Sequence, residues 1–587
     1  MRLNVIRSPK GVESLYITRD TYLGSKPGPD GKPGKKRTTS VYKKLGRVDV
    51  LMKEKNMSHD EVIQWARDHA KELTEQEKSK DLIVPLYLHT GVQIPLNEER
   101  SFNCGYLFLQ NIYYGMKLNN ICRNIKQRYK YEFSLDAILS DLVYARILEP
   151  CSKRASYQYC RKLLEPPKYS DYDVYRALSV LAKECDYIQA ELYKNSNLIC
   201  SRNNRILYYD CTNYYFEIEE DDDLRKYGKS KENRPNPIVQ MGLFMDGNGI
   251  PLAFNVFPGN QNEQPSMTPL EQKIIRTFGF EKFVVCTDGG LGSDNNRAFN
   301  DIEGRAFIVT QSLKKLKEDE RKSAMDDRNW KKLSNGESVD INEIIKEPEK
   351  HTKELYYKED VYGTKKVPCQ LMIVTYSPKY ALYQKKIRGK QIERAEAMIK
   401  SGKKKSTHKN PNDPARFVKK TSVTKDGEAA DKTLYELDDD RIAEEKQYDG
   451  FYAVCTNLVE EDVKAILEVS EGRWEIEESF RIMKTDFRAR PVYLSREDRI
   501  CAHFLTCFMA LLIFRILEHK LGGRYTSGEI IDTLREMRMI STEGGYQPAY
   551  KRTELTDSLH EIFGFHTDYQ IIPRSDMRSI IKNTKKL

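Results

Sequence analysis

Three acidic residues, Asp210, Asp288 and Glu477, occupy positions where a metal-dependent hydrolytic site could be built. Asp210 lies inside the apolar and aromatic run Arg205–Glu217, and Asp288 directly follows the apolar run that starts at Phe283. Metal-assisted cleavage of a phosphodiester needs two hard cations about 4 Å apart, which carboxylate oxygens hold and neutralise. A carboxylate in so apolar a strand is costly when it is buried without a partner. The three residues are therefore candidate ligands for two Mg²⁺ or Mn²⁺ ions. Taken alone, Asp210 also suits an edge strand or a turn, and Asp288 also suits a helix N-cap or a turn.

The third acidic residue belongs to a segment with helical periodicity, Ser470–Lys484. At about 100° per residue, Glu477 falls about 40° and Lys484 about 20° from Arg473, so the three share one side of the helix. A surface ion pair between residues four apart would explain Arg473 with Glu477. It would not explain why Lys484 continues the row beside the apolar stripe. The pattern places an acidic side chain between two basic ones at the edge of the buried face.

The segments around these residues have the order of a ribonuclease-H-like α/β core, a mixed sheet flanked by helices. Three antiparallel strands come first, with a tight turn at Asp246–Gly249. A helix and further strands follow, so Asp288 stands at the carboxyl end of a strand, where α/β sheets carry their sites. The predicted strands are Arg205–Glu217, Ile238–Met245, Ile250–Phe257, Phe283–Thr287, Arg305–Thr310 and Gly450–Thr456.

The chain, at 587 residues, is too long for a single core. Changes in composition along it predict six segments, of which two form the halves of the ribonuclease-H-like core. The predicted segments are 1–55, a basic β segment; 56–200, a mainly helical DNA-binding region; 201–312, the first half of the core; 313–445, a β-rich inserted domain; 446–521, the second half of the core; and 522–587, a helical tail.

Positive charge is unevenly distributed. Lys and Arg number 97 against 87 Asp and Glu, a small excess over the whole chain. Residues 1–48 hold 12 of the basic residues and 3 of the acidic ones, and further basic runs lie within 403–420 and 574–586. Nucleic acid and plain solvation account for such runs equally well.

Two other features concern the cellular compartment. The 12 cysteines form no Cys-x-x-Cys pair, which argues against a zinc finger and fits a reducing cytoplasm. The most apolar run, Phe504–Phe514, has 11 residues, whereas a membrane span needs roughly 20. We therefore predict a buried helix there, no membrane association and a cytoplasmic protein.

A possible helix-turn-helix precedes the core. The run from Leu135 to Ile147 has helical spacing and stops at Pro150, and Ser152-Lys153-Arg154 starts the next helix. A basic residue at the start of the second helix would suit base reading in DNA. Ordinary packing of two helices explains the same pattern.

The row of charges resembles the third motif of bacterial insertion-sequence DDE transposases, Tyr-x2-Arg-x3-Glu-x6-Lys. Arg473, Glu477 and Lys484 match it, whereas Ser470 stands at the tyrosine position. Asp210 and Asp288 are similar to the first and second aspartates of that family. The segments Gly228–Lys231 and Pro258–Glu263 are also similar, and Glu477 follows Asp288 by 189 positions, a large insertion of the kind that the family contains.

The resemblance implies a mechanism and partners. Asp210, Asp288 and Glu477 would bind two Mg²⁺ or Mn²⁺ ions, and Arg473 and Lys484 would contact DNA phosphates. The enzyme would cut double-stranded DNA at the inverted repeats of a transposon and join the freed ends to target DNA. The N-terminal region would bind the repeats. A homodimer would form the synaptic complex, at the bacterial nucleoid.

Two other functions agree with the same residues. A ribonuclease-H-like nuclease would share the three carboxylates but would cut DNA without strand transfer. A non-catalytic DNA-binding protein derived from a transposase would have lost one carboxylate, and all three are present here. Inverted repeats in the flanking DNA would favour the transposase over both.

Overall fold

A computed structural model describes residues 1–9, 11–24, 35–78, 91–401, 412–423 and 429–586. The basic residues 403–411, singled out above, lie outside these ranges. The described residues form two compact units, Met1–Gly91 and Val92–Leu587. The strands are β1 (Arg2–Arg7), β2 (Glu13–Gly24), β3 (Lys35–Arg47), β4 (Ser101–Asn103), β5 (Ile206–Tyr215), β6 (Ile238–Asp246), β7 (Pro251–Pro258), β8 (Phe283–Thr287), β9 (Arg305–Thr310), β10 (Lys331–Lys332), β11 (Tyr356–Tyr362), β12 (Gln370–Tyr376), β13 (Val418–Val423), β14 (Ala429–Leu437), β15 (Phe451–Thr456), β16 (Arg538–Thr542) and β17 (Gly545–Pro548).

Helices surround the strands, and two π-helical segments, Ile274–Phe278 and Ile482–Asp486, continue α9 and α16. The α-helices are α1 (Val48–Lys55), α2 (His59–Lys78), α3 (Tyr106–Gly115), α4 (Leu118–Lys126), α5 (Leu135–Leu148), α6 (Lys153–Cys160), α7 (Asp171–Lys183), α8 (Cys185–Ser196), α9 (Met267–Lys273), α10 (Asp294–Phe299), α11 (Glu318–Met325), α12 (Ile341–Lys346), α13 (Pro378–Lys400), α14 (Asp439–Lys446), α15 (Val463–Glu471), α16 (Trp474–Arg481), α17 (Glu497–Lys520), α18 (Ser527–Glu536), α19 (Glu554–Phe563) and α20 (Arg574–Asn583).

The smaller unit combines a three-stranded antiparallel sheet, β1-β2-β3, with α1 and α2. Leu15 of β2, Val48 and Leu51 of α1 and Val62 of α2 form its core. The predicted β segment 1–55 therefore ends in a helix. Val48 and Leu51 lie three residues apart, so both reach the same side of α1 and cover the sheet.

A nine-stranded mixed sheet forms the centre of the larger unit, in the order β10-β11-β12-β15-β9-β8-β5-β6-β7. Strands β5, β6 and β7 pair antiparallel in succession, β8 lies parallel to β5, and β9 lies parallel to β8. The mixed sheet with flanking helices confirms the predicted fold class at that level. The order β7-β6-β5-β8-β9 is compatible with the predicted ribonuclease-H-like core.

The two faces of the sheet pack against different helices. Leu207, Tyr209 and Cys211 of β5 join Leu270 of α9 in one apolar cluster. The alternate residues, among them Tyr208 and Tyr214, join the larger cluster that surrounds α17. Because side chains alternate along a strand, Asp210 and Thr212 belong to this second face.

The predicted insertion 313–445 is not a separate sheet over its first half. Strands β10, β11 and β12 extend the central sheet, and β12 pairs with β15 from Leu371↔Thr456 to Tyr376↔Phe451. Pairing supplies hydrogen-bond partners to a strand edge that would otherwise be open. The later part, from α13 to α14, has a small core of its own, with Ala395, Phe417 and Val418.

The predicted helical tail 522–587 also contains strands. β16 pairs with both β17 and β4, so the end of the chain packs on residues 101–103. Met539 of β16 is fully buried between exposed Arg538 and Ile540. This alternation is the strand signal that the helical prediction overlooked.

The apolar run Phe504–Phe514 lies in α17 and is buried, as predicted. Among the described residues, α17 is the one helix long and apolar enough to cross a membrane, and 89% of its most apolar window is buried inside the protein. Tyr214 and Phe254 of the sheet pack on Phe504 and Phe508 of this helix. The helix therefore serves as the core of the larger unit.

The possible helix-turn-helix has an inward-facing basic residue. α5 is buried along most of its length, and α6 has only 8 residues. Lys153, the first residue of α6, is 4% exposed, whereas Arg154 is exposed. Lys153 is therefore buried, whereas a base-reading side chain would lie at the surface.

Candidate active site

The two aspartates occupy equivalent positions on neighbouring parallel strands. The last paired residues of β5 and β8 are Tyr208 and Cys286, and the carboxylates follow each of them by two positions. Asp210 and Asp288 therefore stand side by side, with their strands about 4.8 Å apart. By the same alternation, both belong to the sheet face that packs towards α17. Local sequence order and strand pairing together bring the first two predicted ligands into one place.

The helix that carries Glu477 packs against β5 on this face. At one end, a Cβ atom on Gly472 would lie 2.2 Å from the Tyr208 hydroxyl oxygen, so the chain comes too close for a larger residue. At the other end, the Lys484 ammonium donates a hydrogen bond to Thr212 Oγ1. Tyr208 and Thr212 flank Asp210 on the same face of β5. Glu477 lies between these two contacts along the chain, and its carboxylate is paired with Arg473.

Glu477 points to a basic partner on its own helix. Its carboxylate accepts a hydrogen bond from Arg473 Nη1 at 2.8 Å, and its side chain is 58% exposed. Burial lowers the pKa of Arg473, but the charge of Glu477 and smaller contributions, Asp288 among them, outweigh it and raise that pKa above its ordinary value. The predicted ion pair between residues four apart is therefore present, and Arg473 lies close to both carboxylates.

The helical row itself differs from the prediction. α15 ends at Glu471, α16 begins at Trp474, and Ile482–Asp486 is π-helical. A π-turn is wider than an α-turn, so Lys484 is displaced from the position that a straight helix would give it. Met483 Sδ accepts from the Tyr214 hydroxyl at 3.7 Å, which fixes this wider turn on β5.

Charges around Asp210 perturb its titration and that of its neighbour. Burial raises the pKa of Asp210 to about 6, and the charge of Asp288 adds to this rise, while Lys231 opposes it. Burial and the charge of Lys231 lower the pKa of Lys484 to about 8, while Asp210 opposes this lowering. Two carboxylates and two ammonium groups thus meet at one point, the arrangement expected where a protein handles charged substrate groups.

The three predicted carboxylates are not yet within common ligand distance. Among the described residues, the group of His, Cys, Asp and Glu whose ligand atoms all lie within 4.8 Å of one another is His560, His566 and Asp568. Glu477 is turned to Arg473, and Asp288 Oδ1 accepts from the backbone N–H of Gly290 at 3.0 Å and of Leu291 at 3.1 Å. Both side chains could rotate from these local bonds towards Asp210.

The donor set nevertheless fits a divalent cation. Side-by-side carboxylates are hard oxygen ligands. The raised pKa of Asp210 reflects a negative charge that burial and Asp288 destabilise and that a cation would offset.

The histidine group near the C-terminus has other partners. His560 Nε2 accepts from the backbone N–H of Thr567 at 3.1 Å, and Arg552 Nε lies 3.7 Å from Asp568 Oδ2. Because Arg552 already neutralises Asp568, binding of a metal cation to this carboxylate is disfavoured. These side chains close the turn that follows α19.

Two further charged residues, Lys231 and Glu263, lie close to Asp210. Neither was among the predicted site residues. Lys231 Nζ lies 3.0 Å from Glu263 Oε1 and donates to the carbonyl of Cys211, next to Asp210. Asn213 of β5 holds the Lys231 loop, since its amide donates to Lys229 O at 3.2 Å and its oxygen accepts from Lys231 N at 3.3 Å. Lys231 and Glu263 lie in the two segments that resemble the transposase family, Gly228–Lys231 and Pro258–Glu263. Their charge and their place in those segments could have indicated from the sequence that they lie at the site.

One protein-family model matches the chain. A family model described as "Transposase DDE domain" matches residues 216–513, just over half of the chain. Asp288 and Glu477 fall inside the matched range, and Asp210 stands six positions before it. No curated protein matches the chain.

Two solved structures are similar over part or most of the chain. A piggyBac transposase synaptic complex with hairpin DNA is 8% identical, with 82% of this chain and 84% of that one covered, at a TM-score of 0.34. A Mos1 transposase paired-end complex with the left transposon end is 13% identical, at a TM-score of 0.12. In that case the comparison covers 38% of this chain and 62% of the other.

Proposed function

Because the chain belongs to the transposase DDE domain family, we propose that it cuts double-stranded DNA at transposon ends and joins the freed ends to target DNA. The convergence of Asp210 and Asp288 on one sheet face, beneath the helix that carries Glu477, is the main support. Members of such a family typically use divalent metal ions. Asp210, Asp288 and Glu477 would hold two Mg²⁺ or Mn²⁺ ions.

When bound, a metal pair of this kind supplies activation of the attacking hydroxyl and stabilisation of the leaving oxygen. The chain's own contribution is to position charge. Asp210 and Asp288 are fixed by strands β5 and β8, whereas Glu477 must leave Arg473 to join them. The released guanidinium would then be free to contact a DNA phosphate. Lys484, held beside Asp210 through Thr212, would contact a second one.

An incision assay tests the assignment of the carboxylates. Labelled duplexes that carry the ends of the element are incubated with Mg²⁺ or Mn²⁺ and with Asp210→Asn, Asp288→Asn or Glu477→Gln. We expect each variant to lose cleavage while DNA affinity, measured by mobility shift, is retained. Glu478→Gln is the matched control, because Glu478 neighbours Glu477 but pairs with Arg481 at 2.6 Å. Full activity of Glu477→Gln would refute the role of that residue.

The same reaction distinguishes a transposase from a nuclease. Strand transfer is followed with a supercoiled plasmid as target DNA. We expect joined products that disappear in the Asp288→Asn variant. Cleavage without any joined product would instead favour the nuclease.

A homodimer is the expected assembly, because two transposon ends must be cut and joined together and each chain offers one set of carboxylates. The proposed substrate also locates the activity at the nucleoid, in the cytoplasm. Light scattering of the protein with and without end DNA tests the assembly, and a monomer on paired ends would contradict it.

A further inference from the structure

A basic pocket lies between the turn that joins α5 to α6 and the segment that follows the Lys484 π-helix. Its volume is about 420 Å³. Four cationic side chains line it, and its lining contains no Asp or Glu; the cations are Arg146, Lys153, Arg488 and Arg490. A cavity lined by cations without carboxylates is suited to an anion.

Lys153 carries an unpartnered charge into this pocket. Its side chain is 4% exposed, and its ammonium nitrogen is buried without a hydrogen-bond partner among the described residues. Burial and the charge of Arg146 lower the pKa of Lys153 to about 7. Buried ammonium groups are costly unless they are paired. An anion in the pocket would supply the missing partner.

Arg146 adds a second charge, and no carboxylate in the part of the chain that the structure describes forms an ion pair with it. It is 3% exposed, and its guanidinium donates to carbonyl oxygens, of Phe487 at 3.1 Å and of Cys151 at 3.1 Å. These bonds tie both walls of the pocket to α5 while leaving the positive charge in place. His503, which also lines the pocket, stays neutral, because burial lowers its pKa well below the usual range.

The first turn of α6 faces the same space. Ser152 caps the helix by accepting from Ala155 N at 3.3 Å. The first backbone N–H groups of a helix have no acceptor within it, and the helix dipole favours an anion there. This local field supports the same ligand that the unpartnered Lys153 requires.

Charged contacts link the pocket to Lys484 and to strand β5, which carries Asp210. Arg490 forms an ion pair with Glu232, whose Oε1 lies 3.8 Å from Lys484 Nζ. Arg490 also lies 5.8 Å from the ring centroid of Tyr215, the last residue of β5. An anion bound here would therefore lie beside a residue, Arg490, that contacts both the partner of Lys484 and the end of β5.

We propose that this pocket binds a backbone phosphate of the DNA whose cleavage is proposed above, at a position flanking the cut. The assignment rests on that proposed function for the identity of the ligand. A phosphodiester provides the negative charge and acceptor oxygens that Lys153, Arg488 and the α6 N-terminus lack.

Replacement of Lys153 by an uncharged residue of similar length, Lys153→Met, tests the proposal. Duplex DNA affinity is measured by fluorescence anisotropy at several salt concentrations, without divalent metal, so catalysis plays no part. We expect affinity to fall roughly 5- to 10-fold and the slope of log K against log salt to decrease by about 1. The melting temperature without DNA should rise, because an unpaired buried charge is removed, whereas loss of a merely structural lysine would lower it.

Arg154→Met is the matched control, since Arg154 is the exposed neighbour of Lys153 outside the pocket lining. Unchanged DNA affinity in Lys153→Met, or an equal loss in Arg154→Met, would overturn the proposal. If Lys153→Met does not fold, the exposed Arg488→Gln takes its place with the same expected loss.

Inorganic phosphate, compared with chloride at equal ionic strength, distinguishes the source of the anion. Stabilisation of the parent protein by phosphate, with no change of DNA affinity in Lys153→Met, would assign the pocket to a free phosphate and overturn the DNA assignment. If the parent protein does not cleave DNA but Lys153→Met still binds DNA more weakly than the parent, the proposed catalysis is refuted and the phosphate pocket is not.

Discussion

At the scale of single residues, the site balances opposite charges that face one another across a short distance. Arg473 holds Glu477 away from the aspartates, and Lys484 lies beside Asp210. Each basic side chain offsets carboxylate repulsion before any cation is bound. The same side chains would become phosphate donors once Glu477 turns towards Asp210, so one set of residues serves the free and the substrate-bound protein.

Another buried acid, Glu271 of α9, should make stability depend on pH. It is fully buried, Asn300 donates to its Oε2 at 3.2 Å, and its Oε1 has no partner among the described residues. Burial raises the pKa of Glu271 to about 8 from 4.5. Between these values the folded protein retains a proton that the unfolded chain has released, so stability falls as pH rises through this window.

We therefore expect Glu271→Gln to reduce the fall in folding stability that accompanies rising pH. The neutral variant should be about 1–3 kcal/mol more stable than the parent at pH 8 and nearly equal to it at pH 5. Urea denaturation at the two pH values measures the difference. Equal stability of the two proteins at pH 8 would contradict the assigned protonation.

At the scale of elements, the extension of the sheet is the main addition to the predicted core. Ile373 of β12 is fully buried and pairs with Val454 of β15. Both belong to the large cluster that also contains Ile308 of β9. Residues of the insertion therefore share apolar contacts with the strands that position the aspartates, and the two should unfold together.

The Ile373→Ala variant tests this shared core. Removal of the buried side chain should cost about 2–5 kcal/mol in the unfolding of the whole central sheet. Val361→Ala on β11 is the control, because Val361 is 78% exposed and its loss should change stability by no more than about 0.5 kcal/mol. If Ile373→Ala showed a separate unfolding transition at lower denaturant, with the midpoint of the main transition unchanged, the insertion would fold independently.

At the scale of the whole molecule, the chain divides into a small basic unit and a large one that contains the candidate site. The small unit has its own sheet and core, and the large unit is built around α17. Positive charge is dense in the small unit, where residues 1–48 carry 12 Lys and Arg against 3 Asp and Glu. Such a unit can add DNA affinity without any part in the chemistry.

A protein that lacks residues 1–91 should keep the melting temperature of the large unit and bind DNA more weakly. Its affinity should depend less steeply on salt, because fewer phosphates are neutralised. Calorimetry and anisotropy measure the two effects. Aggregation of the shortened protein, or an unchanged salt slope, would count against this division of roles.

The sequence by itself determined the elements that local pattern encodes. Strands β8 and β9 coincide with the predicted runs, and the buried helix around Phe504–Phe514 is present. The predicted runs also placed Asp210 within a strand and Asp288 directly after one. These features depend on residues close together in the chain, so periodicity alone specifies them.

Tertiary structure decided what depends on distant partners. Three long-range contacts join residues far apart in the chain: the pairing of β12 with β15, the hydrogen bond of Arg146 to Phe487, and the contact of Lys484 with Thr212. No local pattern carries that information, because a strand edge or a charged side chain presents the same sequence whether its partner is water or protein. The choice is made by the satisfaction of backbone hydrogen bonds and the exclusion of water when the whole chain packs.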